Sequence, residues 1–542
     1  MPGRVFVNGS IFDGRKHQPG TAVATEGDRI VFVGPEHEAR EAAGAGSEEV
    51  DLAGGLLAPG FQDAHLHPMI GGLEQGRCDL SGCTTREEYF EAIKEHAAEN
   101  PGDGWFRGGG WSLADFSGEA PSVADLDALV PDRPAFLPSN DHHDAWVNSK
   151  ALEVAGVTAE TPDPPDGWML RSDDGNLEGT LREAAMALVG DHVTTTREEY
   201  ADALRRAQSF LHSQGITGWH DALLGGYAGI DDPTQAYLDL LASGELVSRV
   251  RGALWWDRHR GAEQVEELVA RREELARHGL DTSAVKMMAD GISETGTAAV
   301  TEPYTNLPFC PCGAHGLSFL SHEQFQEAVA AADAAGFQVH VHAIGDKAVH
   351  DALDAVEHAR RTNGMNDLRH QIAHLQLVRP EDRPRFRRLG VVANLQGLWA
   401  NAQTPAVTLL EPHLDEERRT WQYPFADIVA AGAATAGGSD WPVNTPSPID
   451  AIHALVNRRP PGADSTSRAL VPGQALSLEQ AFATYTSGTA YVNHRADTGN
   501  LQVGTRADLV VLDRDPFAHP AEEIGEASVI ATYLDGKAVY TA

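Results

Sequence analysis

The sequence predicts an α/β fold: a (β/α)8 barrel of the TIM type with a large insertion after its first strand, plus a small discontinuous β-sandwich built from both chain ends. Three observations carry that prediction. Eight apolar strand-like runs recur between residues 59 and 491, with helical stretches between most of them. One connection, from His67 to Ile216, is several times longer than a single strand–helix unit. The segments 1–58 and 492–542 share a texture of short strands and turns, with too few strands at either end for a separate core.

In chain order, Arg4–Val7, Ala22–Thr25 and Arg29–Gly34 read as short strands punctuated by Asn8-Gly9 and Gly27-Asp28. Gly504–Asp513 and Val529–Tyr540 look the same, so the two ends are expected to pair beside the main body. The barrel strands are read at the run ending in His65, then at Ile216–Asp221, Arg249–Trp256, Ala284–Gly291, Phe337–Ala343, His370–Leu375, Val391–Gln396 and Ala434–Asp440. Gly261–His278 and Ser321–Gly336 carry apolar residues at helical spacing. Residues 71–200 fill the long connection at the face where such barrels do chemistry. They include Gly108–Ser112 and Pro138–Ser149 and are expected to form a lid or substrate-recognition region.

Composition sets the outer bounds. The chain has 542 residues, 42% hydrophobic and 22% charged, ordinary values for a globular protein. A formal net charge of −37 disfavours nucleic acid and anionic membranes as partners, because binding phosphate needs a basic surface. Four cysteines in such a chain are not a disulfide scaffold; Cys310 and Cys312, in a Cys-Pro-Cys loop, and the distant Cys78 and Cys83 lack paired zinc-finger spacing. No apolar run reaches the length of a membrane helix, about 18 residues. The opening Met1–Gly9 reads as strand and turn rather than a signal peptide, so a cytoplasmic protein is expected. The expected partner is a small-molecule substrate, with a homodimer left open as the assembly.

The chemistry starts at Gly60–His67. Side chains two apart on a strand point the same way, so His65 and His67 at a strand end would aim two imidazoles at one point. A His-x-His pair alone is common and says little. Here four other predicted strand ends also carry ligand or catalytic types: Lys286, His342, His374 and Asp440. Each, read singly, is most simply a hydrogen-bonded core residue; six of them converging on one barrel mouth indicate a metal site. His340 shares a strand face with His342 and competes with it as a ligand.

The ordered motifs Pro59–His67, Val285–Gly291, His342–Val349, Arg369–Gln376 and Gly438–Val443 resemble the amidohydrolase superfamily. They are most similar to the branch called amidohydrolase family 3, which includes N-substituted formamide deformylases. The resemblance extends to Asp141–Ser149 in the insertion and Gly504–Leu512 near the end. The family segment has Gly where this chain has His142, so His143 takes the family's histidine position. The resemblance implies that His65, His67 and Asp440 hold a first divalent ion, zinc in this reading, that His342 and His374 hold a second, and that Lys286 bridges them. An ordinary lysine is a poor ligand at neutral pH, its pKa being about 10.4; the resemblance implies a CO2-derived carbamate on Lys286 (a carboxylated lysine), against the plainer reading as a salt bridge or substrate-binding cation. One ion or two is left open.

Zinc lowers the pKa of bound water to about 7 and so yields hydroxide at neutral pH. Attack on a carbonyl carbon follows, with Asp440 taking the proton as general base and returning it to the leaving amine as acid. His143 is the second catalytic candidate, and His143, Arg182 and Trp441 are candidates for binding substrate. The expected function is therefore a metal-dependent hydrolase acting on a C–N bond, an amide or an N-acyl or N-formyl group, of the EC 3.5 type. Two alternatives stand: hydrolysis of a cyclic amide or lactone, or hydrolytic deamination, on the same site; and, from another class, an inactive ligand-binding scaffold, against which the intact ligand set argues.

Overall fold

The computed structural model describes residues 3–116, 120–227, 231–305, 313–464 and 466–542. Cys310 and Cys312 lie outside the described residues; Cys78 and Cys83 are free thiols. No helix among the described residues is long and apolar enough to cross a membrane.

Eight strands form one sheet in sequence order: β1 (Phe61–Leu66), β2 (Ile216–Leu224), β3 (Arg249–Trp255), β4 (Asp281–Met288), β5 (Gln338–Ala343), β6 (Gln371–His374), β7 (Val392–Leu395) and β8 (Thr435–Gly437). Neighbouring strands pair in parallel. Parallel strands covered on both faces need apolar side chains outward. In β5 the outward residues are Val339 and Val341, which join the large core under the helices; alternation then sends His340 and His342 inward. The sheet edges meet where the Asp440 N–H donates to the His65 carbonyl at 2.8 Å and the His67 N–H donates to the Trp441 carbonyl at 2.7 Å. Closing the barrel and placing four of the expected site residues are thus one event.

One local expectation changes. β1 ends at Leu66, and His67 is the residue that caps the helix Pro68–Glu74. His65 and His67 therefore do not share a strand face; the turn into the helix brings their rings edge-on at 5.3 Å.

The insertion after β1 folds as a six-stranded sheet whose order is Gly167–Arg171, Leu177–Glu183, Asp144–Val147, Ala135–Pro138, Phe106–Gly109, Cys78–Asp79. Both faces are covered. Ala135, Leu137 and Trp146 pack on one side with Tyr89 and Ile93 of the helix Arg86–Glu99, while Phe136, Ala145 and Val147 pack on the other with Leu152 and Met186. The helix Arg197–Ser213, opened by a Thr196–Glu199 capping box, then leads into β2.

At the other end, Leu56–Pro59 pairs with Leu509–Leu512, placing strands from both termini in one six-stranded sheet. Leu57, Leu509 and Val511 face a four-stranded sheet from residues 4–51 and pack on Phe6, Val23 and Ile30. Leu56, Ala58, Val510 and Leu512 face the other way into the main core. The sandwich is thereby seated on the barrel by one face of its own sheet.

Candidate active site

The site lies where the carboxyl ends of the barrel strands meet the inserted sheet. A cavity of about 60 Å³ is lined by His65, His67, Lys286, His342, His374 and Asp440, by Asp141, His142 and His143 of the insertion, and by an apolar wall that includes Tyr227, Trp255 and Trp399. Four of the positions around it hold non-glycine residues at positive φ: His142 (62°), Glu183 (51°), His374 (75°) and Asp440 (64°). Such backbone persists only where the surroundings enforce it.

Asp440 is the hub. Its Oδ1 lies 3.1 Å from His65 Nε2 and 3.4 Å from His67 Nε2, and its Oδ2 lies 3.8 Å from His374 Nδ1. Ligand atoms of His65, His374 and Asp440 all fall within 4.8 Å of one another. Lys286 Nζ is 3.5 Å from His65 Nε2, and the rings of His342 and His374 are 4.2 Å apart. Gln396 Oε1 sits 2.8 Å from His374 Nδ1, whereas His374 Nε2 and His67 Nδ1 are buried with no hydrogen-bonding partner among the described residues. Bare buried nitrogens of this kind are costly unless something binds them. His342 Nε2 approaches the Gly291 carbonyl at 3.1 Å and Asp290 Oδ1 at 3.6 Å.

Electrostatics suits cation binding. Burial, aided by Lys286 and neighbouring rings, keeps His65 and His342 well below the usual histidine pKa and takes His374 down to about 4, so all three are neutral donors near pH 7. Burial pushes the Asp440 carboxyl up, but its close contacts with His65, His67 and His374 outweigh it and hold the group well below the usual carboxylate range. Burial takes Lys286 down to about 8.

His143 stands across the cavity, its ring 5.9 Å from that of His342. Its Nδ1 meets Glu183 Oε2 at 2.9 Å, and Thr297 Oγ1 donates to Glu183 Oε1 at 2.8 Å. Burial pulls the His143 pKa down, yet Glu183 more than compensates and raises it to about 9. Arg182 takes a different place from the one expected. Alternation along Leu177–Glu183 turns Glu183 to His143, while Arg182 pairs with Asp144 at 3.0 Å and is not part of the cavity lining. Trp441 packs against Phe210 at 5.5 Å and covers Gly71, lining a neighbouring cleft rather than this cavity. The sequence reading did not single out Glu183, Asp141 or Glu294; burial and Asp141 raise Glu294 to about 8. For Glu183 the signal was present in the strand parity, one residue beyond Arg182.

A sequence model described as the amidohydrolase family matches residues 48–540. This chain belongs to the amidohydrolase family. It is 32% identical to the Arabidopsis thaliana protein LONG AFTER FAR-RED 3, over 99% of this chain and 91% of the relative. It is 28% identical to the N-substituted formamide deformylase of Arthrobacter pascens, over 95% of this chain and 94% of that protein. Among solved structures, an uncharacterized metal-dependent hydrolase from Pyrococcus horikoshii superposes with a TM-score of 0.73 at 25% identity, covering 96% of this chain and 99% of that one. The eight-stranded barrel with an added domain is thus the family's architecture in this chain.

Proposed function

We propose that this amidohydrolase-family protein is a metal-dependent hydrolase that cleaves a C–N bond, an amide or N-acyl group including N-formyl, in a small molecule. The observation that carries the reading is the convergence of His65, His67, Lys286, His342, His374 and Asp440 on one buried cavity, with His374 Nε2 and His67 Nδ1 left bare. Neutral imidazoles beside one carboxylate held ionised form a donor set suited to zinc. His65, His67 and Asp440 would hold the first ion, and His342 and His374 a second where two bind. A bound zinc ion supplies Lewis acidity, polarising a carbonyl and lowering the pKa of water to about 7. Lys286, lowered to about 8 and buried, keeps a fraction of free amine at neutral pH; that amine would add to CO2 and release a proton, and the resulting carbamate would supply an anionic ligand.

The remaining steps belong to protein groups. Asp440 accepts the proton of the attacking water and passes it to the leaving nitrogen. His143, kept protonated by Glu183, donates a hydrogen bond to the oxygen on which negative charge develops. The apolar wall of Tyr227, Trp255, Trp399 and Ile292 excludes bulk water and fits an apolar substituent on the scissile group. Arg182 acts at one remove, by fixing Asp144 in the strand next to His143.

Metal analysis and turnover of a panel of N-formyl and N-acyl amines test the reading, with ammonia, free amine and acid measured as separate products. Asp440→Asn is expected to keep most of the metal and lose about 10²–10⁴-fold in kcat. Lys286→Ala is expected to lower metal occupancy. Zinc-loaded protein that hydrolyses nothing on the panel would overturn the enzymatic reading in favour of a binding scaffold.

A further inference from the structure

Beneath the cavity, His65 is joined by two histidines that the proposed chemistry does not use, His340 and His220. His65 Nδ1 lies 2.7 Å from His340 Nε2, His340 Nδ1 lies 3.4 Å from His220 Nε2, and His220 Nδ1 lies 3.0 Å from Asn493 Oδ1. The three rings have no exposed surface, and successive rings stand edge-on at 4.7 Å. They come from β1, β5 and β2. β1 and β5 are not neighbours in the sheet, so their side chains meet only across the barrel interior. The string therefore runs inside the barrel from the site toward Asn493, just after the helix Thr489–Val492.

A neutral imidazole has one N–H and one lone pair, so hydrogen bonds along a string of them all run in the same sense. With Asn493 Oδ1 accepting from His220 Nδ1–H, His220 Nε2 accepts from His340 Nδ1–H, and His340 Nε2 accepts from His65 Nδ1–H. His65 is then left with a bare Nε2 beside Asp440 at 3.1 Å and Lys286 at 3.5 Å. In the opposite sense His65 carries its proton on Nε2 and has no lone pair there for a cation. Gln371 Nε2, 3.3 Å from the same His220 nitrogen and 3.4 Å from Gln338 Oε1, is the donor that favours the opposite sense; the shorter contact is to Asn493.

We propose that His340 and His220 are positioning residues which, anchored by Asn493, fix the tautomer of His65 from inside the barrel so that it meets a divalent cation through Nε2. The inference rests on the reading of His65 as a metal ligand. A metal-ligating histidine whose other nitrogen is held in this way binds more tightly, and losing such a partner typically costs about 10–100-fold in affinity.

The test is cobalt(II) binding to the metal-free full-length protein, followed by calorimetry and by the visible spectrum of the bound ion. His340→Phe is expected to weaken binding by about 10–100-fold. His220→Phe touches none of the proposed ligands and is expected to weaken it too. The double variant is expected to bind no more weakly than His340→Phe, because His220 acts only through His340. Additive losses, or binding unchanged in both single variants, would overturn the proposal. Asn493→Asp is close to isosteric and puts a stronger acceptor at the far end, near Arg251, whose Nη1 donates to the Asn493 carbonyl at 3.2 Å. It is expected to tighten cobalt binding several-fold, a direction that damaged packing does not produce. Should the phenylalanine variants fail to fold, Asn493→Asp decides alone, and any result but tightening overturns the proposal. Wild-type protein that binds no cobalt is a separate result, which removes the metal reading itself.

Discussion

His143 and Glu183 show how much a single buried pair sets at the scale of the residue. Paired at 2.9 Å, His143 is raised to about 9 from an ordinary value of about 6.5, with Glu183 lowered to match. A group whose pKa rises on folding stabilises the fold fully below its unfolded pKa and loses that contribution as pH climbs through the folded one. The pair's stabilisation is therefore complete just below about pH 6.5, is lost toward acid as Glu183 takes up its proton, and is gone above about pH 9. Thermal melts of the metal-free protein are expected to show a falling midpoint across that window, and Glu183→Gln to flatten it. An unchanged slope in Glu183→Gln would remove the ion pair from the account. At this scale local motifs pointed to residues that the fold brings to one cavity, namely His65, Lys286, His342, His374 and Asp440. Glu183 beside His143 and the contact of His340 with His65 stayed hidden, because each is defined by a partner far away in the chain.

Among elements, the shared edge of β1 and β8 bears most directly on the site. Gly438 follows β8, and a Cβ there would lie 2.6 Å from Asn394 Oδ1 and 2.9 Å from His65 Cβ. Gly438→Ala is expected to cost about 1–3 kcal/mol by overpacking and to lower metal occupancy through the displaced His65. Equilibrium denaturation and metal analysis check both; an alanine variant with wild-type stability and metal content would show that the edge gives way without disturbing the site. The barrel strands were legible because apolar runs between helices have few other uses. The inserted sheet was legible only as an unexplained length of chain, since two-residue and four-residue strands such as Cys78–Asp79 and Phe106–Gly109 leave too short a pattern to read. The placement of His67 failed for the opposite reason: the alternation rule was applied one residue past the end of its strand, into a helix cap.

For the molecule as a whole, a net charge of −37 is an electrostatic load that local ion pairs do not cancel. Raising NaCl from about 0.01 M to about 1 M shortens the screening length from about 30 Å to about 3 Å. The melting temperature is expected to rise over that range, as repulsion among carboxylates is screened. A falling midpoint would mean that surface ion pairs such as Arg205–Glu245 outweigh the repulsion.

The pairing of Leu56–Pro59 with Leu509–Leu512 also imposes an order in time. During synthesis the early strand emerges long before its mate, and at ribosomal speeds the wait is on the order of tens of seconds. Throughout that interval the flank of Leu57 that later packs on Leu509 and Val511 stays bare. The nascent polypeptide thus carries an unsatisfied sheet margin until Leu509–Leu512 has been made, which makes it a natural client for chaperones that shield β-edges.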